Sequence, residues 1–308
     1  MQLSIQLPPG LQRGATPYDS PDRWWDCNLV RWQDGTLRPI GGWERTTSSS
    51  LDSAVREIHV WRDNTAVKQT LIGTDNKLYI DNSGAWVDIT PSGFTPLSNI
   101  GVSGGYGIFT YSYGSYGTPR PASNLYNSYA FWSMGNWGQD VILTANSDGL
   151  LYYYSINAPT TAPVKITATS GTTPTGNNAV IVTEERHVMA IAANGDPRRI
   201  AWSSAENYQD WNFASTTNTA GYLDVSSEAP LLYAVKVREG VLVFSQTECY
   251  LVRYVGLPFI YGADRLAECS LMSPKCVAEH SGSATWMGKG GFWNYVGGVI
   301  TPLACPIA

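Results

Sequence analysis

The chain has 308 residues, of which 43% are hydrophobic and only 15% charged, well under the ~25% of an average soluble domain. This length suffices for one large β domain or two ordinary domains with a full core. The net charge is -5 and no basic block occurs, which excludes the phosphate-gripping surface of a nucleic-acid-binding protein. Because so few residues are charged, the polar surface must come mainly from uncharged side chains, as is common in secreted proteins, carbohydrate binders and virion proteins.

The first predicted element is an extended arm that ends in a hairpin. Pro8-Pro9-Gly10 stiffens and then turns the chain, and strands at 29–32 and 37–40 flank Asp34-Gly35, which suits a primed turn. Arginines recur every seven or eight residues among tryptophans and acidic residues, a pattern that suits docking by Arg–carboxylate and Arg–aromatic pairs. The alternative is an ordinary hairpin with solvated charges. The candidate interface residues of the arm are Arg23, Trp24, Trp25, Arg31, Trp32, Arg38 and Trp43.

Five further pairs of short apolar runs follow, each joined by a tight turn. The predicted pairs are 69–73 with 77–81, 140–145 with 150–155, 187–192 with 199–203, 241–245 with 248–254, and 284–287 with 292–296. Counted from the turn near residue 35, the turn spacings are about 41, 73, 46, 52 and 43, and four of them match the ~40–50-residue blade period of β-propellers. Helical periodicity is nearly absent. The predicted fold is therefore all-β, a propeller-like ring of short antiparallel hairpins.

The one long spacing contains a Gly/Tyr-rich segment, residues 92–136, whose single charged residue is Arg120. Loops of this length are usually functional or disordered, and the many tyrosines favour a contact surface. Its candidate interface residues are Tyr111, Tyr113 and Tyr116. Further on, a polar loop is predicted at 169–178 and a short helix over Ser203–Trp211, capped by Ser204.

These elements divide the chain into an arm with the first hairpin, 1–50, and a propeller-like domain, 51–308, that carries the 92–136 insertion. A propeller normally closes by pairing its first and last strands, which removes open edges. The sequence ends just after a predicted strand, so either the arm supplies the closure or a C-terminal part is absent. The start, MQLSIQLPPG, lacks the features of a signal peptide, and no apolar run approaches a membrane span, so we expect a soluble protein of cytoplasmic origin.

Signatures of catalysis are weak. The one G-x-S-x-G, residues 101–105, is followed by a Gly/Tyr-rich loop and not by the helix of a nucleophile elbow. His59, His187 and His280 are dispersed, which predicts no metal site, and no cofactor loop is present. The sequence therefore predicts a protein that is not an enzyme.

The cysteines and carboxylates leave two questions open. Five cysteines without a C-x-x-C favour buried, reduced thiols, although Cys269 and Cys276 could pair. A glycosidase would need two opposed carboxylates, and no pair can be chosen from the sequence. The acidic candidates are Asp148, Glu184, Glu185, Asp196, Glu206 and Asp210, of which Asp148 and Asp196 fit turn roles and Asp210 fits the end of the short helix.

Three stretches resemble a known family. They are PPGLQRGATPYDSPDRWWDCNLVRWQDGTLRPIGGW at 8–43, RRIAWSSAENYQDWNFASTTNTAGYLDV at 198–225 and TECYLVRYVGLPFIYG at 247–262. Together they are similar to the tail-nozzle and packaged-DNA stabilisation proteins of short-tailed bacteriophages, the podoviruses. The resemblance covers about a quarter of the chain directly, and proteins of this kind are usually longer.

The resemblance implies a virion structural protein, made in the host bacterial cytoplasm and located in the phage tail. Identical subunits would form a ring, expected to be a homohexamer, below the portal and adaptor proteins and in contact with tail fibre, spike or needle proteins. The ring would extend the DNA exit channel, retain the packaged double-stranded DNA and allow its ejection, without sequence-specific binding. Two alternatives stay open, namely a carbohydrate- or receptor-binding propeller module and a tail-associated glycosidase.

Overall fold

The computed structural model describes residues 9–12, 16, 18, 23–42, 44, 49–96 and 131–304, and short strands are its dominant regular structure. An arm hairpin of β1 (Val30–Gln33) and β2 (Thr36–Pro39) comes first. Five four-stranded antiparallel sheets follow along the chain and are arranged as the blades of a β-propeller. The predicted fold class is therefore confirmed.

Each blade is one contiguous piece of sequence. Blade 1 comprises β3 (Val55–Arg62), β4 (Lys68–Thr74), β5 (Leu78–Asn82) and β6 (Ala85–Asp88). Blade 2 comprises β7 (Trp132–Trp137), β8 (Asp140–Ala145), β9 (Leu151–Tyr154) and β10 (Val164–Lys165). Blade 3 comprises β12 (Ala179–Val182), β13 (Val188–Ile191), β14 (Arg199–Trp202) and β16 (Gly221–Asp224), and the short strands β11 (Ser170–Gly171) and β15 (Asp210–Trp211) pair in parallel beside it. Blade 4 comprises β17 (Leu231–Val237), β18 (Gly240–Ser245), β19 (Cys249–Gly256) and β20 (Ile260–Ala267). Blade 5 comprises β21 (Val277–His280), β22 (Ser283–Gly288), β23 (Gly291–Val296) and β24 (Val299–Leu303).

The five predicted strand pairs after the arm are confirmed as the second and third strands of the five blades. Second strands such as β13 and β18 lie between neighbouring blades and are buried on both faces, which is why they read as continuous apolar runs. In the arm hairpin, Asp34 and Gly35 have φ of 52° and 73°, as a type I′ turn requires.

Two predictions at the sequence level need correction. The segment 92–136 extends too far, because residues 132–136 belong to β7; its middle, 97–130, lies outside the described residues. The predicted helix over Ser203–Trp211 is wrong. Glu206 has a left-handed φ of 57°, Ser204 forms an isolated bridge with Asn207, and Asp210 lies in β15. Side chains there bond to nearby backbone, as Asn207 does with the Gln209 amide, and so compete with helix formation.

Four hydrophobic cores hold the blades together, and each lies between two consecutive blades. Each contains one tryptophan that is at most 2% exposed: Trp132 between blades 1 and 2, Trp211 between 2 and 3, Trp202 between 3 and 4, and Trp286 between 4 and 5. Among the described residues no such core joins blade 5 to blade 1. The strands of these two blades also make at most slight contact with one another.

The described cysteines are reduced, as predicted, and Cys269 does not pair with Cys276. Cys249, Cys269 and Cys276 are free, as is Cys27, and the close neighbour of Cys269 is Cys249 in the core between blades 4 and 5. The adjacent Cys269 thiol and burial raise the pKa of Cys249, so this buried thiol stays protonated and unreactive. No described helix is long and apolar enough to cross a membrane.

Candidate interaction surfaces

The arm hairpin carries three of the predicted interface residues on two faces. Arg31 and Arg38 are directly opposite one another and exposed, while Trp32 faces Leu37 on the other side. Like charges at opposite positions destabilise a two-stranded sheet, so an acidic partner over this face would stabilise the hairpin.

The other predicted interface residues are distributed as follows. Arg23 is exposed, Trp24 and Trp25 are partly buried, and Trp24 forms a parallel bridge with Leu11. The remaining four, Trp43, Tyr111, Tyr113 and Tyr116, lie outside the described residues. The structure therefore brings together Arg31, Trp32 and Arg38 and places Arg23, Trp24 and Trp25 in the segment before the hairpin.

A lysine near the propeller axis links blade 5 to three other blades. Lys275, just before β21, places its Nζ 2.5 Å from Glu57 Oε2 of blade 1 and donates to the Tyr233 hydroxyl of blade 4 at 2.9 Å. The same ammonium lies 4.6 Å from the Tyr233 ring centroid and 5.7 Å from that of Phe131, which precedes blade 2. We call the contacts of Lys275 with Glu57 and Tyr233 the central clasp. It is a polar bridge between blades 5 and 1, whereas the other neighbouring blades are joined by an apolar core.

We expect Lys275→Met to lower the free energy of unfolding by about 2 kcal/mol, because it leaves the partly buried Glu57 carboxylate without its cation. Urea denaturation of wild type and variant measures the difference. Lys77→Met is the matched control, since it breaks an ion pair with Asp88 in which both side chains are at least 40% exposed, and it should leave the free energy of unfolding almost unchanged. An equal loss in both variants would show that the clasp has no special role.

Blade 5 leaves one of its faces uncovered. Ala284, Trp286 and Tyr295 point to blade 4 and are buried. Because side chains alternate along a strand, their neighbours point to the opposite face. That face is apolar and at least a third exposed at Phe292, Val296, Val299 and Leu303.

Blade 1 is also uncovered along its inner strand, β3, on the face that points away from blade 2. His59 and Trp61 point to blade 2, where they bond to Asn136 and to the Gln139 carbonyl. Ile58 and Val60 therefore point away from blade 2, and they are 58% and 50% exposed. We call the two uncovered faces, defined by Ile58, Val60, Phe292, Val296, Val299 and Leu303, the open side.

A second apolar surface projects from blade 4. The hairpin tip, residues 254–260, joins β19 to β20, and its Leu257 and Phe259 are 75% and 76% exposed. Tyr254 and Val255 are about half exposed beside them. Arg253 and Asp264 form an ion pair across the base of the tip, so the projection carries no net charge there. A turn is normally polar, so the run VGLPFI was the sequence signal for this surface.

A groove of about 440 Å³ separates the hairpin tip from the outer strand of blade 3. Its walls include the aromatic rings of Trp202, Phe213, Tyr222 and Phe259, and Ser215 and Asn218 contribute polar groups. Aromatic rings with a few polar groups suit the stacking and hydrogen bonding of a sugar.

A buried chain of hydrogen bonds crosses the boundary between blades 3 and 4. His187 Nε2 lies 3.2 Å from Thr219 Oγ1, and His187 Nδ1 lies 2.8 Å from the Tyr261 hydroxyl. Tyr261 in turn donates to Glu185 Oε2 at 3.1 Å. Since the single hydroxyl proton of Tyr261 goes to the carboxylate, Nδ1 of His187 must carry the proton of a neutral ring. Burial lowers the pKa of His187 to about 4 and raises that of Tyr261, so both stay uncharged near neutral pH.

The acidic residues named as glycosidase candidates mostly have structural partners. Asp148 accepts from the Leu150 amide and the Tyr152 hydroxyl, and Asp196 accepts from the Arg198 amide, so both have the turn roles expected. Asp210 does not end a helix. Glu206 pairs with Arg186, and Asp210 accepts from the Asn218 amide group.

Glu184 and Glu185 line one cavity of about 180 Å³, together with Lys236 and Arg238. As neighbours on one turn, the two carboxylates cannot flank a sugar from opposite sides, as a glycosidase requires. No group of three or more His, Cys, Asp or Glu side chains that could hold a metal lies within the described ranges.

Neither a protein-family model nor a curated protein matches the chain. Two solved structures are similar in backbone. Virginiamycin B lyase from Staphylococcus aureus has a TM-score of 0.46 at 8% identity, over 88% of this chain and 75% of the lyase chain. The extracellular domain of the one-component system BT4673 from B. thetaiotaomicron has a TM-score of 0.39 at 10% identity, over 85% of this chain and 35% of that chain. No family membership follows from these similarities.

Proposed function

We propose that this chain is a non-catalytic structural subunit of a short-tailed bacteriophage tail, in the nozzle ring that extends the DNA exit channel. The proposal combines the resemblance of residues 8–43, 198–225 and 247–262 with a propeller that leaves large apolar surfaces uncovered. Partners above and below the ring would be portal, adaptor and fibre or spike proteins, and the location would be the virion.

The open side is the observation that supports this proposal best. Monomeric soluble proteins rarely expose contiguous apolar patches of more than a few hundred Å², and larger ones mark contact sites with other proteins. Here Ile58 and Val60 of the inner strand of blade 1 and four apolar side chains of blade 5 are uncovered in the part of the chain that is described. A surface of this kind favours a subunit whose stable state includes a neighbour.

The charge of the chain fits a channel wall that does not hold DNA. The net charge of -5 supplies no basic stripe, so phosphate groups gain no strong attraction from the protein. A weakly anionic lumen lets a duplex slide during ejection. Retention of the packaged DNA is then mechanical, by a narrow part of the ring.

Native mass spectrometry of the purified chain at micromolar concentration, followed by negative-stain imaging, tests the proposal. We expect closed rings of identical subunits, and labelled antibody should place the chain at the tail channel of intact particles. A chain that stays monomeric throughout this range, or a label away from the channel, would contradict it.

The aromatic groove of about 440 Å³ supports a second candidate function, a carbohydrate-binding module. Stacking of a sugar on Tyr222, which is partly exposed, would provide the affinity. Glycan-array binding by the monomer that is lost in Tyr222→Ala would favour this function over a ring subunit.

A further inference from the structure

We propose that the hairpin tip of one copy inserts into the open side of the next copy, so that subunits join head to tail. The inference deepens the proposed function, because it names the two surfaces through which copies of this chain would assemble. It also explains why one chain exposes two separate apolar surfaces of different shape.

The hairpin tip has the form of an anchor. It is a two-stranded projection whose four apolar side chains, Tyr254, Val255, Leu257 and Phe259, are all at least 47% exposed. At 150–250 Å² for a fully exposed aromatic ring, Tyr254 and Phe259 alone present roughly 250 Å². With Val255 and Leu257 the patch reaches the ~300–600 Å² that is typical of the largest patch on a monomer and is often functional.

The open side has the form of a recess. Blade 5 and blade 1 meet near the axis at the central clasp, and outside it their facing sheets are uncovered. Packed sheets lie about 10 Å apart. Each of the four remaining gaps between consecutive blades is filled by apolar side chains from the two sheets that face it. A narrow hairpin with apolar side chains therefore offers the kind of surface that already fills the other four gaps.

The charges on the hairpin tip and on the recess permit a contact between them. Arg253 and Asp264 neutralise each other at the base of the tip, and the exposed positions Ile58, Val60 and Val299 of the recess carry no charge. Insertion over these three positions would bury no unpaired charge, provided that Arg62, the exposed last residue of β3 on the face of Ile58 and Val60, stays at the solvent edge of the contact.

The hairpin tip of a chain cannot reach the recess of the same chain. The tip belongs to β19 and β20 of blade 4, while blade 5 stands between blade 4 and the open side and is held to blade 4 by a continuous core. A tip that fills the recess must therefore come from another copy. Contact between two different surfaces of identical subunits is heterologous, and such contacts close into rings when the rotation permits.

Two variants test the pairing. The tip variant is Leu257→Asp with Phe259→Asp, and the recess variant is Val296→Asp with Val299→Asp. Each should lose self-association by at least about 100-fold in dissociation constant, because charges are introduced at the centre of the contact. An equimolar mixture should give a dimer of one tip variant with one recess variant, and nothing larger, since one intact surface remains on each. Native mass spectrometry of the separate and mixed proteins reads all three outcomes.

Val164→Asp is the matched control, since Val164 in blade 2 is an exposed valine on neither surface, and this variant should assemble as wild type does. Circular dichroism and melting confirm folding. If an Asp pair unfolds, Leu257→Cys with Val299→Cys should give a cross-link between copies, mapped by peptide mass spectrometry.

The outcomes separate the two proposals. Rings that persist in both variants would overturn the pairing and leave the ring function standing. A wild type that never associates would overturn both. A mixture that stays monomeric would show that the tip and the recess are not each other's partners.

Discussion

Trp132→Ala should lower the free energy of unfolding by about 4 kcal/mol, among the largest effects of a single substitution in this chain. The Trp132 side chain is fully buried between blades 1 and 2, stacks on Phe94 at 4.7 Å, and donates from Nε1 to the Thr74 carbonyl at 2.9 Å. Alanine leaves both a cavity and an unpaired buried carbonyl. Equilibrium denaturation in urea measures the loss. Trp32→Ala, in the arm hairpin outside the blades, is the control and should change stability by less than about 1 kcal/mol.

Gly73 provides a second test of the same packing. A Cβ at Gly73 would lie 2.3 Å from Trp132 Cδ1, so Gly73→Ala should destabilise by about 2–3 kcal/mol on its own. In the Trp132→Ala background the indole is absent and this penalty should disappear. Additive losses in the double variant would mean that the indole does not exclude a side chain at residue 73.

Stability should fall as the pH is lowered from about 6.5 to about 4, with His187 contributing up to about 3 kcal/mol. Burial lowers the folded pKa of His187 to about 4, against about 6.5 in the unfolded chain. Between these values the unfolded state binds a proton that the folded state does not, so protons favour unfolding. Above pH 6.5 His187 is neutral in both states and contributes no slope. Urea denaturation at half-unit pH intervals gives the profile.

His187→Asn should flatten this part of the profile, although some slope will remain, because burial lowers the pKa of His59 as well. His280→Gln, at an exposed position of blade 5, is the control for replacing a histidine outside the buried network. An unchanged slope in His187→Asn would contradict the buried neutral histidine bonded to Tyr261.

The sequence predicted the blades because hairpin turns are local. The runs beside residues 76, 149, 195, 247 and 290 pair within each blade over a few residues, so turn chemistry and apolar runs suffice to find them. The first strand of each blade was harder to predict from the sequence. In β3 and β7 the pattern mixes polar and apolar residues, because inner strands contact both the axis and two neighbours.

The candidate surfaces were harder to predict, because exposure depends on which blades meet. Nothing in the sequence marks Ile58 or Phe292 as exposed, and the structure leaves them exposed because no described apolar core joins blades 5 and 1. The hydrogen-bonded network of Thr219, His187, Tyr261 and Glu185 joins two blades. Its partners are therefore far apart in sequence: Tyr261 also bonds to Thr183, which is 78 residues away. Residue spacing carries no signal for such a network.

Because each of the five described blades is a contiguous meander, most pairings within a blade close loops of only a few residues. Local pairings of this kind lose little chain entropy before they gain contact energy, which speeds folding relative to other all-β architectures. A nascent chain can thus complete one blade before the next leaves the ribosome, and each finished blade offers a template face to its successor. We expect folding to spread from one blade to its neighbour, as it does between the repeats of a solenoid.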